Sequence, residues 1–243
     1  TDLSWGRINH PSEVVKPGQE VDVKILSLDR ERERIQLGYK QLQPRPWDNA
    51  PERYPEGCIV EGKVVRIADF GAFVDIGCGL VALMTVDTLS VSRISHPRER
   101  VAVGEKLWAA VRDVGDNGSR IYMSLRELLG TWEENAALFS PAQTVTGTVR
   151  SVEEYGVFVE LMPNLCGLAE LRDGAAPGKH CAVYIKSIIP ERMKIKLIII
   201  DTAAQIQTRP PLRYFVDPER TPHISEWRYS PECCPRLIET RFG

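Results

Sequence analysis

Apolar and polar residues alternate along most of the chain, the period of strands with one buried face. Between residues 57 and 127 the pattern draws four strands. Val60, Gly62 and Val64 share the inner face of the first. Ala72, Val74 and Ile76 share that of the second, Leu107, Ala109 and Val111 that of another, and Ile121, Met123 and Leu125 that of the last. This register puts Val64, Val74, Val111 and Ile121 inside a small closed sheet, and Phe73, Asp75, Arg120 and Tyr122 outside it. Phe70 and Phe73 are three apart, so a regular strand would place them on opposite faces. A glycine bulge at Gly71 is expected to return both rings to one face. Asp116-Asn117-Gly118 is a strong hairpin turn before the last strand.

The pattern recurs. Val149-Arg150-Ser151-Val152-Glu153-Glu154-Tyr155-Gly156-Val157-Phe158-Val159 repeats the Val64–Val74 stretch, with Tyr155 for Phe70 and Phe158 for Phe73, at an offset of 156 − 71 = 85 residues. Upstream, Arg7-Ile8-Asn9-His10-Pro11 returns as Arg93-Ile94-Ser95-His96-Pro97, an offset of 93 − 7 = 86. The first copy has a closing hairpin, with Val21, Val23, Ile25, Ile35 and Leu37 inward, but no counterpart of Val60–Ile76. The expected division is 1–46, the second half of a repeat; 47–56, a linker; 57–127, a complete repeat; 128–141, a helical linker; 142–201, a shortened repeat; and 202–243, a C-terminal extension. A first copy of this kind leads us to expect a longer parent protein. Each linker carries two aromatics seven apart, Trp47 and Tyr54, then Trp132 and Phe139. That is two helical turns, which suits a short helix laying both rings on the next barrel. The extension is rich in aromatics (Tyr214, Phe215, Trp227, Tyr229, Phe242) and is expected to be ordered and docked on the third repeat.

Net charge is −2 and the pI about 6.1, which argues against capture of polyanions by bulk charge. Within 57–127 nine Lys/Arg meet nine Asp/Glu, and within 140–201 seven meet seven. No run of 18 apolar residues exists, so no membrane partner is expected. The six cysteines include no C-x-x-C pair and read as reduced thiols, with Cys58, Cys166 and Cys181 in strand-like runs and Cys233-Cys234 in a packed turn. His10, His96, His180 and His223 lack metal-ligand spacing, and His10 and His96, each before Pro, read as turn residues. There is no Gly-rich phosphate loop and no nucleophile elbow. No catalytic residue, metal, cofactor or small-molecule substrate is expected.

Five short strands closed by a hairpin describe an oligonucleotide-binding barrel, so the fold class is all-β, tandem five-stranded OB-fold barrels joined by short helical linkers. Phe70-Gly71-Ala72-Phe73-Val74-Asp75, Gly104-x-x-Leu107, and Asp116-x-x-x-Arg120-Ile121-x-Met123-Ser124-Leu125 resemble the S1 RNA-binding domain. His10-Pro11 and Arg32-Glu33-Arg34-Ile35-Gln36-Leu37-Gly38 resemble its second half. Tandem copies with Pro-Trp linkers are similar to the ribosomal protein S1 family. The resemblance implies an RNA face of two aromatics, a His, an Asp and an Arg. In the middle repeat these positions are Phe70, Phe73, Thr85 (in place of the His), Asp116 and Arg120. In the third they are Tyr155, Phe158 and Lys194, with Glu170 in the His position; the first copy keeps Arg34 in the Arg position. It also implies single-stranded RNA (messenger RNA) and the small ribosomal subunit as partners, a role in translation and a cytoplasmic location.

The residues themselves support stacking of unpaired bases, at ~1–3 kcal/mol per base whatever its identity. Glu153, Glu154, Glu160 and Glu170 are expected along the strands that would face RNA in the third repeat, repelling phosphate there. The middle repeat is therefore expected to carry most of the binding. The competing reading is a protein-interaction module whose degenerate repeats dock to the ribosome or to each other. If a linker covers Phe70, Phe73 and Arg120, that reading gains; if they lie open, RNA binding gains.

Overall fold

The computed structural model describes all residues except 1–2, 6–9, 31, 44, 46, 116–119 and 203–211. Strands β3 (Ile59–Ala68), β4 (Gly71–Gly77), β5 (Leu80–Thr85), β6 (Lys106–Gly115) and β7 (Arg120–Ser124) close into a barrel in the order β3-β4-β5-β7-β6. Strands β8 (Thr144–Glu153), β9 (Gly156–Met162), β10 (Leu165–Ala169), β11 (His180–Ile189) and β12 (Lys194–Asp201) close a second barrel of the same connectivity. In each, the third and fifth strands pair in parallel and all other neighbours are antiparallel. Inward alternation fills the interiors: Val64, Val74 and Val111 are fully buried and Ile121 nearly so, matched by Val149, Val159, Ile185 and Ile195. The chain is thus all-β with tandem five-stranded barrels, as the alternation predicts.

One local expectation fails. The register slip beside the ring pair is not at Gly71 but on β3, between Val64 and Arg66, where Val65 is the extra, exposed residue. Phe70 sits in the turn before β4, free of strand alternation, which is how it shares a face with Phe73. Gly71 serves close packing instead: a Cβ there would stand 2.3 Å from the Met84 carbonyl oxygen.

Short helices α1 (Ala50–Arg53) and α3 (Trp132–Ala136) precede the barrels, and α2 (Val86–Leu89) follows β5. Trp47 and Tyr54 pack on the first barrel's core, Trp132 and Phe139 on the second's. Thr131 and Glu134 form a reciprocal capping box that starts α3. His10 and His96 each cap a 3-10 turn with Nδ1, accepting from the N–H of Ser12 and Arg98.

The extension does more than dock on the third repeat. Its described part, from Leu212 onward, runs across both barrels. Ile59 N–H donates to the Pro222 carbonyl at 2.8 Å and Ile224 N–H to that of Gly57 at 2.9 Å. Tyr214 Oη accepts the Trp108 N–H at 3.1 Å, and Phe242 packs with Ile59, Ala110 and Leu128. On the other side Trp227 and Tyr229 enter the second barrel's core, and Trp132 N–H donates to the Tyr229 carbonyl at 3.0 Å. Strands β13 (Glu226–Arg228) and β14 (Glu239–Arg241) form a two-stranded ribbon between these contacts. The physical reason is the apolar strip Ile59, Trp108 and Ala110 on the first barrel, which needs a cover. Trp108 is thereby committed to the extension.

Glu160, expected on the third repeat's RNA side, is instead turned toward the first barrel. It is 7% exposed and pairs with Arg100 of that barrel and, at 2.9 Å through both carboxylate oxygens, with Arg150 of its own. Arg150 also reaches Glu99. A buried cation, Arg100, and a partly buried one, Arg150, meeting one buried carboxylate explain the placement: each group would be costly to bury alone.

The first copy is a hairpin, β1 (Lys24–Asp29) with β2 (Arg34–Gly38), forming a sheet of its own among the described residues. Ile25 faces Leu37 and Leu28 faces Ile35, and all four are exposed.

Candidate nucleic-acid interface

The outer face of the first barrel is built by cross-strand neighbours. Arg66 on β3 is opposite Phe73 on β4; Phe73 is opposite Leu83 on β5; Leu83 is level with Tyr122 on β7; and Tyr122 is opposite Asp113 on β6. One lateral row thus crosses all five strands. The Arg66 guanidinium lies over the Phe73 ring, 5.1 Å from its centroid. Phe70 meets Phe73 edge to face at 6.0 Å and is 56% exposed, a large apolar side chain held open to solvent. No linker covers it among the described residues.

Thr85, in the position where the family pattern has His, closes β5 opposite Gly71 and donates its hydroxyl to Asp87 at 2.6 Å. It therefore flanks the turn that carries Phe70. Val86 N–H donates to the Phe70 carbonyl at 3.1 Å, which fixes that turn against the end of β5. Arg120 opens β7, two residues before Tyr122, and is exposed. Asp116 lies outside the described residues. An imidazole does stand nearby: His96 Nε2 is 3.4 Å from Asp69, the residue before Phe70.

In the second barrel Tyr155 and Phe158 reproduce the ring pair, edge to face at 6.1 Å, with Tyr155 70% exposed. The row around them differs. Phe158 is flanked by Ser151 and Leu168, then Lys196 and Ser187, where the first barrel has Arg66, Leu83, Tyr122 and Asp113. Lys194 opens β12 and is exposed. Glu153, Glu154 and Glu170 are exposed too, while Glu160 is withdrawn into the contact between barrels. Arg34 opens β2 on the separate hairpin and joins neither ring pair.

Three members of the row, Arg66, Leu83 and Asp113, were not singled out from the sequence, whereas Tyr122 was placed on the outer face. Alternation marks Tyr122 as outward between Ile121 and Met123, and Leu83 as outward beside Met84. Arg66 is two residues after Val64, so plain alternation turns it inward; only the slip at Val65 turns it out. Among the described residues no group of three or more His, Cys, Asp or Glu is arranged to hold a metal ion.

Two closed five-stranded barrels in series, each with an outward aromatic pair, define a tandem oligonucleotide-binding-barrel protein. The S1 RNA binding domain model matches residues 1–40 and 53–126, and the chain belongs to that family. Small ribosomal subunit protein bS1 of Pseudomonas aeruginosa is 34% identical over 211 residues, covering 81% of this chain and 38% of that protein. The bS1 protein of Neisseria meningitidis serogroup B is 37% identical over 175 residues, covering 71% of this chain and 31% of that protein. The chain thus spans about a third of the length of these curated relatives. Among solved structures, a chain of the a/eIF2alpha-aDim2p-rRNA complex from Pyrococcus horikoshii OT3 is 30% identical, over 35% of this chain and 52% of its own, with a TM-score of 0.30.

Proposed function

We propose that the chain binds single-stranded RNA in translation, holding messenger RNA at the small ribosomal subunit in the cytoplasm. The observation that carries the reading is the open pair Phe70 and Phe73, backed by Arg66 on the Phe73 ring. Rings of this kind on a barrel face stack unpaired bases irrespective of sequence. Arg120 and Arg66 supply phosphate contacts on the same face. Thr85 flanks the path on the first barrel, and Asp116 joins this site through the family pattern alone; Tyr155, Phe158 and Lys194 make a weaker second site, and Arg34 offers a phosphate contact on the hairpin. The ribosomal role draws on the bS1 relatives. The competing docking reading is favoured by one feature, the exposed apolar hairpin face of Ile25, Leu28, Ile35 and Leu37. It does not account for the uncovered rings.

Titration of a labelled single-stranded octanucleotide at two salt concentrations tests the reading. Binding is expected at both, with a shallow salt slope, because stacking outweighs a few phosphate contacts and each contact adds only ~0.7 to the slope. Absence of saturable binding at low salt would reject it.

A further inference from the structure

We propose that the Arg112–Asp113 bulge builds a base-reading pocket at the end of the stacking row, and that this pocket selects guanine. The inference rests on the RNA reading above and adds sequence preference to it.

The bulge is a defined slip. Val111 is opposite Met123 and Asp113 is opposite Tyr122, so Arg112 is one extra residue on β6. In a regular strand two successive side chains face opposite sides, and one of this charged pair would enter the core. The slip leaves both exposed while Val111 stays fully buried. Arg112 and Asp113 then form one wall of a cavity of about 270 Å³, with Leu83, Thr85 and Tyr122 along the others. That is smaller than the ~300–1,000 Å³ of sites for drug-sized ligands, and suits one planar base. The cavity continues the row that begins at Phe73, so a strand stacked on the rings passes its next base over Leu83 toward Tyr122.

The wall chemistry names the base. An ionised carboxylate is acceptor-only and binds best to two adjacent donors. Guanine alone among the four bases offers them, N1–H and the 2-amino group, on its Watson–Crick edge. Uracil flanks its single N3–H with two acceptor oxygens, and adenine and cytosine each set one amino group beside an acceptor nitrogen. Arg112 complements the choice, because a guanidinium pairs with guanine O6 and N7. Its orientation has support: Arg112 Nη1 is 3.8 Å from Asp87, which accepts the Thr85 hydroxyl at 2.6 Å. The second barrel keeps the slip but changes the chemistry. There Lys186 is the extra residue, Ser187 stands for Asp113 and Lys196 for Tyr122, so the carboxylate is lost from that wall and Glu170 stands instead where the first barrel has Thr85.

The test uses the full chain and four labelled octanucleotides, all uridine except for one central position carrying guanosine, inosine, adenosine or uridine. Fluorescence anisotropy should give guanosine roughly 10-fold or more tighter binding than uridine, the discrimination of one bidentate contact. Inosine, lacking the 2-amino group, should lose most of that gain. Asp113→Asn should abolish the preference, read as the ratio of guanosine to uridine affinities within the variant, as expected of a base contact rather than a phosphate contact. Equal affinity for all four RNAs, or a guanosine preference that survives Asp113→Asn, overturns the pocket and leaves RNA binding standing. Failure of every RNA to bind overturns both.

Discussion

Phe73 and Phe158 hold the same position in two barrels and keep different company. Phe73 has Arg66 over its ring and lies in a row with Tyr122; Phe158 lies between Ser151 and Leu168, with Lys196 beyond. Glu153 at the end of β8 and Glu154 in the turn precede Tyr155 and repel phosphate, while Glu160 does not reach that face. Phe73→Ala should therefore cost ~1–3 kcal/mol in RNA binding, and Phe158→Ala clearly less. Parallel titrations of the two variants with one oligonucleotide check this, and equal losses would refute it. Cysteines give a second residue-level prediction. Burial pushes the Cys166 thiol up to about 11, aided by the Glu160 charge, and burial does the same for Cys181. Both stay protonated at pH 8, whereas Cys78 and Cys233 are exposed. Iodoacetamide at pH 8 should label Cys78 and Cys233 first, as peptide mass spectrometry would read, and early labelling of Cys166 would contradict its burial. At this scale the ring positions were legible in the sequence, because two aromatics around a glycine recur 85 residues later. Arg66 and Asp113 were not, since each follows a bulge that only the partner strand defines.

Among the elements, the same slips recur: Val65 and Arg150 on the first strands of the barrels, Arg112 and Lys186 on the fourth. A bulge adds a residue without moving the turns, so apolar alternation before and after it reads correctly while the residue inside is misassigned. That is why the strands were legible and their outer faces only partly so. The packing of the linker aromatics on the barrels was legible, but the two-turn helices were not: α1 contains neither of its rings and α3 only Trp132. The path of the extension was not, because its bonds to Gly57, Ile59 and Trp108 join residues far apart in sequence. The hairpin β1–β2 differs in kind from the barrels, with exposed apolar positions and no third strand among the described residues. Its amides should exchange as a low-stability unit. Hydrogen exchange followed by mass spectrometry should show residues 24–38 losing protection well before 59–85. Equal protection of the two segments in dilute solution would show that the hairpin is held by contacts outside its own sheet.

At the scale of the whole molecule, two devices join the barrels. The extension bonds to both, through Pro222 and Ile224 on one side and Tyr229 on the other. The ion cluster of Arg100, Glu160, Arg150 and Glu99 crosses the contact between them. Burial lowers the Arg100 guanidinium below its ordinary pKa even beside Glu160. Burial also works against Arg150, but its hydrogen bond with Glu160 and the charges of Glu160 and Glu99 outweigh it and raise that group. Glu160 is thus the shared counter-charge, and removing it leaves buried Arg100 and partly buried Arg150 with Glu99 alone. Glu160→Ala should cost roughly 3–5 kcal/mol, the scale for orphaning a buried charge. Because the cluster is shielded from solvent, 0.5 M salt should not reproduce the effect. The mode of unfolding should change as well. With both devices intact, the two barrels should melt in one transition in urea, seen alike by near-UV and far-UV dichroism. With Glu160→Ala the midpoint should fall and the two signals should separate, as one barrel unfolds while the other still holds the extension. A wild-type protein that already unfolds in two steps, with Glu160→Ala shifting only one of them, would show that the barrels are stable separately and the cluster only local.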